Sequence, residues 1–389
     1  MKFVFFANTD WYLYNFRLST ALHLASQGVE VVMLSPPGDF GSRFARHGIR
    51  WVTLAAMDRA SLNPAREAWT VRELVRVVKA EQPDLIHNFT VKCAVYGALA
   101  ARLANVPAVV NAVAGMGYVF TSEGAKARAL RPIVSALIRG TLGSGHSRLI
   151  LQNPDDADAF TRARLVVSEN IRLIRSSGVD TRRFCPPTGN REARPLRVIL
   201  AARLLWEKGV GEFIEAAALL RQRGRDIRFL LAGMPDPGNP GSVERVQVDR
   251  WVEEGLVDWL GHVDDMPALL RTVDVMALPS YYREGVPKSL IEGAASGLAL
   301  VTTDLPGCRE VVSRHGVDGL HVAPRDAEAL AERLAMLDDD RALLRRLGDA
   351  ARTKALADFD ERMVIAKTVA VYGELLRMPE PVAHAAAAQ

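Results

Sequence analysis

Three cysteines, at 93, 185 and 308, are few for a chain of 389 residues, and they are widely separated without ligand spacing. That excludes a disulfide framework and a cysteine-based zinc site. Long apolar runs are also missing. The longest nearly apolar stretch, PAVVNAVAGMGYVF, falls well short of the ~20 residues of a spanning helix. The opening MKFVFFANTDW turns polar too soon for a secretory signal. Charge of one sign is scarce: the formal net charge is +4, so basic character matters through its placement rather than its size. Aromatic residues are absent from the densest basic cluster, which argues against nucleic acid as a partner. No GxGxxG follows the first expected strand, which ranks an NAD-dependent dehydrogenase last. A reducing compartment fits these absences. The chain reads as cytoplasmic, or peripheral on the inner face of the cytoplasmic membrane.

What is present is the composition of a soluble globular protein, about half apolar and a quarter charged, long enough for two domains. KFVFFA, VEVVMLSP, PDLIHNF, AVVNAV, SRLILQN and IRLIRSS read as strands, with helical patterns between most of them. GVDTRRFCPPTGNREARP breaks the pattern with prolines and charge, and the same grammar then restarts at LRVILAAR. Alternating strands and helices imply parallel sheets covered on both faces. The expected organisation is an α/β chain of two doubly wound, Rossmann-like domains facing a cleft, over residues 1–182 and 196–360. A linker at 183–195 joins them. A terminal helix at 361–378 is free to return to the first domain, and 379–389 reads as a disordered tail.

Chemistry concentrates in the second half. In ILAARLLWEKGVGEF a strand gives way to a helix near Gly209, placing Arg203 and Lys208 on the loop at the carboxyl end of a strand, where open α/β sheets bind ligands. A planar fork and a point charge at that spacing suit a diphosphate; surface salt bridges, for instance to Glu207, are the plainer alternative. In SYYREGVPKSLIEGAASG a helix beginning about Pro287 would turn its first amides toward an anion, with Glu284 just before it and Glu292 between one and two turns in. Taken singly, each glutamate reads best as a surface charge, Glu284 as a partner of Arg283 or Lys288. Asp264 and Asp265 adjoin and read as the cap of the next helix rather than as a metal clamp.

Taken together, ARLLWEKG followed some eighty residues later by EGVPKSLIE resembles the donor site of glycosyltransferase family 4, retaining enzymes of the GT-B fold. GVD at Gly178 to Asp180 and LAGMP around Gly233 match as well, so the resemblance runs from the first strand to about Asp326. It implies that Arg203 and Lys208 bind the donor diphosphate, with Gly209 in the same motif. Glu292 would hold the ribose and Glu284 the transferred sugar. The backbone at Gly285, Val286, Pro287 and Lys288 would contact sugar or phosphate, and Gly261 and His262 would lie near the base. The donor would be a UDP-sugar, with no metal and no cofactor.

WYLYNFRL, IHNFTVKCAVYGALAAR and NAVAGMGYVF resemble the bacterial branch that extends sugars on undecaprenyl diphosphate. Arg17 and Lys92 would meet the diphosphate of that acceptor. His87 either faces the cleft or is a satisfied core histidine. Two departures leave the catalytic base open. The family's glycine-rich loop is replaced by Asn8, Thr9 and Asp10, and Asn111 stands where many members have a histidine. Asparagine cannot shuttle a proton, so proton removal falls to the leaving phosphate or to Asp10. The basic residues Lys126, Arg128, Arg131 and Arg139, interleaved with Ile133, Val134, Leu137 and Ile138, read either as a solvated helix face or as a surface for an anionic leaflet. A nucleotide-sugar epimerase or hydrolase, and a noncatalytic nucleotide-binding subunit, are the competing functions.

Overall fold

Nearly apolar strands alternating with helices build the first unit of the chain. The computed structural model describes residues 1–58, 61, 63–115, 124–143, 145–187 and 195–378; part of the expected linker and the whole expected tail lie outside these. The order is β1 (Lys2–Phe6), α1 (Asp10–Ser26), β2 (Glu30–Ser35), β3 (Arg50–Thr53), α2 (Pro64–Glu81), β4 (Leu85–Phe89), α3 (Val91–Ala104), β5 (Ala108–Val113), α4 (Ala125–Leu142), β6 (Ser147–Leu151), α5 (Pro154–Arg162) and β7 (Ile171–Leu173). Caps set the helix starts: the Thr9 hydroxyl accepts from the Tyr12 amide at 3.2 Å, and Asn63 precedes Pro64, whose missing N–H is not needed at that position. The seven strands are parallel, in the order β3-β2-β1-β4-β5-β6-β7. Their alternation sends Phe3 and Phe5 into one core with Leu13 and Leu24, and Val4 and Phe6 into another with Leu74, Val78 and Ala98. A strand buried on both faces needs apolar residues at every position, which is why KFVFF shows no polar alternation.

The second unit repeats the plan with β8 (Leu196–Ala201), α6 (Val210–Gln222), β9 (Ile227–Ala232), α7 (Arg245–Glu253), β10 (Asp258–Gly261), α8 (Met266–Leu270), β11 (Val275–Leu278), α9 (Lys288–Ala295), β12 (Ala299–Thr303), α10 (Cys308–Val311), β13 (Leu320–Val322), α11 (Ala327–Asp339) and α12 (Arg341–Asp358). Its six parallel strands run β10-β9-β8-β11-β12-β13. Val198 and Leu200 face Phe213 and Leu330, whereas Ile199 and Ala201 face Leu290, Ile291 and Phe359. The order reverses between β8 and β11. Adjacent connections leave there in opposite directions and open a crevice at the strands' carboxyl ends.

The chain passes from the first unit to the second at 177/178, earlier than the expected boundary at 182, and returns at 363/364. Residues 178–187 belong to the second unit for a physical reason. Val179 bridges Asp360, Phe184 enters the core, and Arg352 donates to the carbonyls of Thr181 at 2.9 Å and Phe184 at 2.7 Å. The last helix, α13 (Glu361–Gly373), carries Val364, Val371 and Tyr372 into the core around Phe3 and Phe5. Beyond it Glu374 receives Arg148 and Arg172, each at 2.7 Å. Among the described residues no helix is long and apolar enough to cross a membrane.

Candidate functional site

The segments that follow β8 and β11 meet at the strand-order reversal of the second unit. Gly209 adopts φ +79°, and a Cβ there would press on the Pro279 backbone, so glycine lets the two segments touch. The Glu207 carbonyl accepts from the amides of Tyr281 at 3.0 Å and Tyr282 at 3.2 Å, and the Ser280 hydroxyl lies 3.0 Å from it. The same hydroxyl is 3.0 Å from Glu284 Oε1, the atom with which the Lys208 ammonium forms an ion pair. Lys208 and Glu284, 76 positions apart in sequence, are thus one charge pair, with their side chains only 16% and 10% exposed. Glu284 thus has a charged partner that its sequence neighbourhood does not suggest.

Arg203 is more open and donates from Nη1 to Asp236 Oδ2 at 2.5 Å. Asp236 is itself anchored, its amide donating to Ser242 Oγ at 2.9 Å and its carboxylate accepting from Asn239 at 3.3 Å. Burial pushes the Glu207 carboxyl above the usual range, against the pull of Lys208. Helix α9 opens at Lys288 with Pro287 as its cap, one position later than the sequence spacing predicts. Its amino end carries the partial positive charge of the aligned peptide dipoles, close in sequence to Glu284. Glu292 lies in the second turn. Burial raises its carboxyl to about 7, opposed by Lys288 and Arg183. Gly307, at the start of α10, packs directly on the backbone of Glu284 and Gly285. At the other edge, the Gly261 carbonyl accepts from the Gly233 amide at 2.7 Å, and His262 is exposed, 3.4 Å from Asp264. Asp265 caps α8 through the Ala268 amide at 3.1 Å. Cationic, acidic and helix-end groups therefore gather along four adjacent strand ends, an arrangement that can hold an extended anionic ligand.

The first unit corrects several expectations. Asp10 is no free base: one carboxylate oxygen accepts from the amides of Phe40 at 2.7 Å and Gly41 at 2.8 Å, the other from Trp11 at 2.8 Å. It closes the 38–41 loop over the start of α1. Asn111 is fully buried, accepting from Asn88 at 2.9 Å and donating to Ser147 at 3.2 Å, so it ties strands together instead of meeting a substrate. Lys92 is held by Glu67 at 2.9 Å and by the carbonyls of Asp58 and Ser61, a clamp on a loop that leaves no ammonium for an acceptor. His87 is enclosed, and burial together with Arg17 holds it well below its ordinary pKa, which favours the neutral imidazole. Arg17 is buried beside it.

In α4, Arg128 is exposed and Arg131 partly buried, whereas Arg139 donates to the carbonyls of Arg164 at 3.0 Å and Ala163 at 3.1 Å. The Lys126 side chain lies outside the described residues. Ser280, Asp236, Gly307 and Tyr372 were missed from sequence, because Glu207, Arg203, Gly285 and His87, which they respectively meet, come near only by folding.

Residues 2–152 match the family model of glycosyl transferase 4-like domains, and 195–340 that of glycosyl transferases group 1. The N,N'-diacetylbacillosaminyl-diphospho-undecaprenol alpha-1,3-N-acetylgalactosaminyltransferase of Campylobacter jejuni is 29% identical, over 97% of this chain and 100% of its own. The UDP-Gal:alpha-D-GlcNAc-diphosphoundecaprenol alpha-1,3-galactosyltransferase of Escherichia coli is 27% identical, over 69% of this chain and 70% of its own. Among solved structures, Anabaena Alr3699/HepE in complex with UDP and glucose superimposes with a TM-score of 0.79 at 20% identity, covering 96% of this chain and 99% of that one.

Proposed function

The chain is a glycosyltransferase whose two domains belong to the 4-like and group 1 families, and from that premise we propose that it moves a sugar from a UDP-linked donor to a sugar carried on a polyprenyl diphosphate, with retention. The observation that carries the donor half is the meeting of Lys208 with Glu284 beside Arg203 and the start of α9. Arg203 and Lys208 would take the diphosphate, offsetting the charge that develops on the leaving nucleotide. Glu284 would orient a hydroxyl of the transferred sugar, and Glu292 would accept from the ribose. With Asp10, Asn111 and His87 all engaged in the first domain, the departing phosphate is the base that fits, taking the acceptor proton on the face it vacates. The polyprenyl diphosphate acceptor is supported by the two bacterial relatives whose names carry undecaprenol. A donor screen with a short-chain polyprenyl diphosphate sugar, read by mass spectrometry, tests the whole reading. The expected product is the acceptor plus one hexose or N-acetylhexosamine; free sugar without acceptor product would mean hydrolysis.

Glu292 supplies a pH test. Its carboxyl, raised to about 7 in the folded protein, is largely protonated below that pH, and a ribose hydroxyl donates best to the ionised form. UDP affinity should therefore rise between about pH 6 and about pH 8, and calorimetry on Glu292→Gln should lose that slope relative to the unsubstituted enzyme. Linkage gives the opposite sign for folding. A raised folded-state pKa stabilises at low pH, and that contribution fades as pH rises from the unfolded value through about 7. An unchanged slope in Glu292→Gln would remove this residue from the ribose.

Helix α4 exposes Ile133 and Leu137 on the element that carries Arg128, a pattern that supports contact with an anionic leaflet. Replacing Arg128 and Arg131 with glutamine should reduce cosedimentation with phosphatidylglycerol vesicles. Undiminished binding at low salt would make this face an ordinary surface.

A further inference from the structure

Ser280 is wholly buried just past the carboxyl end of β11, and its hydroxyl stands between two acceptors, the Glu207 carbonyl and Glu284 Oε1, each at 3.0 Å. A hydroxyl carries one proton, so it serves one of them at a time. The Glu207 carbonyl already takes the amides of Tyr281 at 3.0 Å and Tyr282 at 3.2 Å, one for each of its lone pairs. The Tyr282 amide also lies 3.3 Å from Ser280 Oγ, which fills an acceptor position of the hydroxyl and leaves its proton free to be donated. Of the two acceptors only the carboxylate is charged, and a hydrogen bond to it is roughly twice as strong as one to a neutral carbonyl. The proton belongs to Glu284.

Ser280 is fixed from behind. At the end of β12 the Thr303 hydroxyl donates to the Ser280 carbonyl at 2.6 Å, and the Thr302 hydroxyl donates to the Leu278 carbonyl at 2.7 Å. Glu284 is only 8% exposed, and both of its side-chain contacts, with Ser280 and Lys208, fall on Oε1. Among the described residues Oε2 accepts no hydrogen bond. An ionised carboxyl has about four acceptor positions, so this oxygen keeps its capacity for a ligand.

We propose that Ser280 is the positioning residue of Glu284: it anchors Oε1, leaves Oε2 to a hydroxyl of the transferred sugar, and keeps the carboxylate in place when the donor's diphosphate draws the Lys208 ammonium away. The inference rests on the role proposed above for Glu284. Lys208 faces two claims, from Glu284 and from the diphosphate, and cannot fix the first while serving the second. Ser280 is uncharged and wholly buried, so the nucleotide does not compete for it. Its contribution falls on the transfer step and not on the grip on UDP.

Ser280→Ala removes only the hydroxyl, and the test compares it with Glu284→Gln and with the double variant, by calorimetry on UDP and by initial rates with the donor and acceptor that the screen identifies. Ser280→Ala should lower kcat about tenfold to a hundredfold, the range for losing a hydrogen bond to a charged group, with UDP affinity and acceptor KM within about threefold of the unsubstituted enzyme. In the Glu284→Gln background the same substitution should cost far less, because the charge that Ser280 serves is gone. Losses that multiply in the double variant would overturn the proposal, since Ser280 would then act independently of Glu284. Undiminished kcat in Ser280→Ala, or a fall in kcat matched by an equal fall in UDP affinity, would overturn it as well. Should Ser280→Ala not fold, Ser280→Cys takes its place; a thiol of similar size is a weaker donor, so kcat should fall less, with UDP affinity again held. If Glu284→Gln by itself leaves turnover intact, the functional reading of that carboxylate fails; if it abolishes turnover but the two losses multiply, only the role of Ser280 fails.

Discussion

Glu284→Gln is expected to lower the rate of sugar transfer by about 10²–10³ while UDP still binds, because the role proposed for the carboxylate is on the sugar and not on the nucleotide. Glutamine keeps the shape and can still accept from Ser280, 3.0 Å away in the native protein. What it removes is the charge paired with Lys208. Glu284 would compete with the proposed diphosphate for the Lys208 ammonium, so UDP affinity should hold or rise in this variant. Arg203→Ala should behave in the opposite sense, weakening UDP by about tenfold to a hundredfold, since it deletes a cation whose own partner, Asp236, stays behind. Calorimetry with UDP and turnover on the same preparations separate the two. Full turnover by Glu284→Gln would sink the assignment to the sugar.

Gly307→Ala is expected to damage both fold and transfer. A Cβ at Gly307 would overlap the Gly285 carbonyl oxygen and stand 2.6 Å from its carbon and 2.8 Å from the Glu284 carbonyl oxygen. These are backbone atoms, so no flexible side chain can yield; the 284–285 loop itself must move. Overpacking of this kind costs about 1–3 kcal/mol. The displacement carries Glu284 with it, and a misplacement of about 1 Å can cost about a hundredfold in rate. Gly316→Ala is the control. That glycine has φ +78°, and the methyl of an alanine there would meet nothing within 4 Å, so the substitution strains the backbone by about 1 kcal/mol without touching the site. Thermal melts and initial rates on the two variants should diverge: both lose stability, and only Gly307→Ala loses transfer. Native-like rates in Gly307→Ala would show that the loop tolerates the shift.

The cluster of cations and carboxylates at the strand ends of the second domain was readable from residues because its parts lie on short loops beside strong local signals. A strand, two cations and a glycine place Arg203 and Lys208, and Gly-Val-Pro before a helix places Glu284 and Glu292. The first domain misled for a related reason. Polar residues near a strand end suggest a ligand, yet Asn111 is consumed by Asn88 and Ser147, Asp10 by three amides, and Lys92 by Glu67 and two carbonyls. Apart from the Trp11 amide, each partner lies well along the chain or across the sheet, so no local pattern announces it.

By itself the sequence determined the alternation of strands and helices, the division into two domains, the absence of a spanning helix among the apolar runs, and which short motifs carry cations and carboxylates. These follow from periodicity and loop chemistry, which act over a few residues. Tertiary structure alone decided that β8 adjoins β11, and with it that Lys208 meets Glu284 across 76 positions. It alone seated Tyr372 on His87 across 285 positions and left Arg17 buried with no ion-paired carboxylate among the described residues. Strand order is set by how whole faces bury against one another, a property of the complete set of elements that no single segment contains.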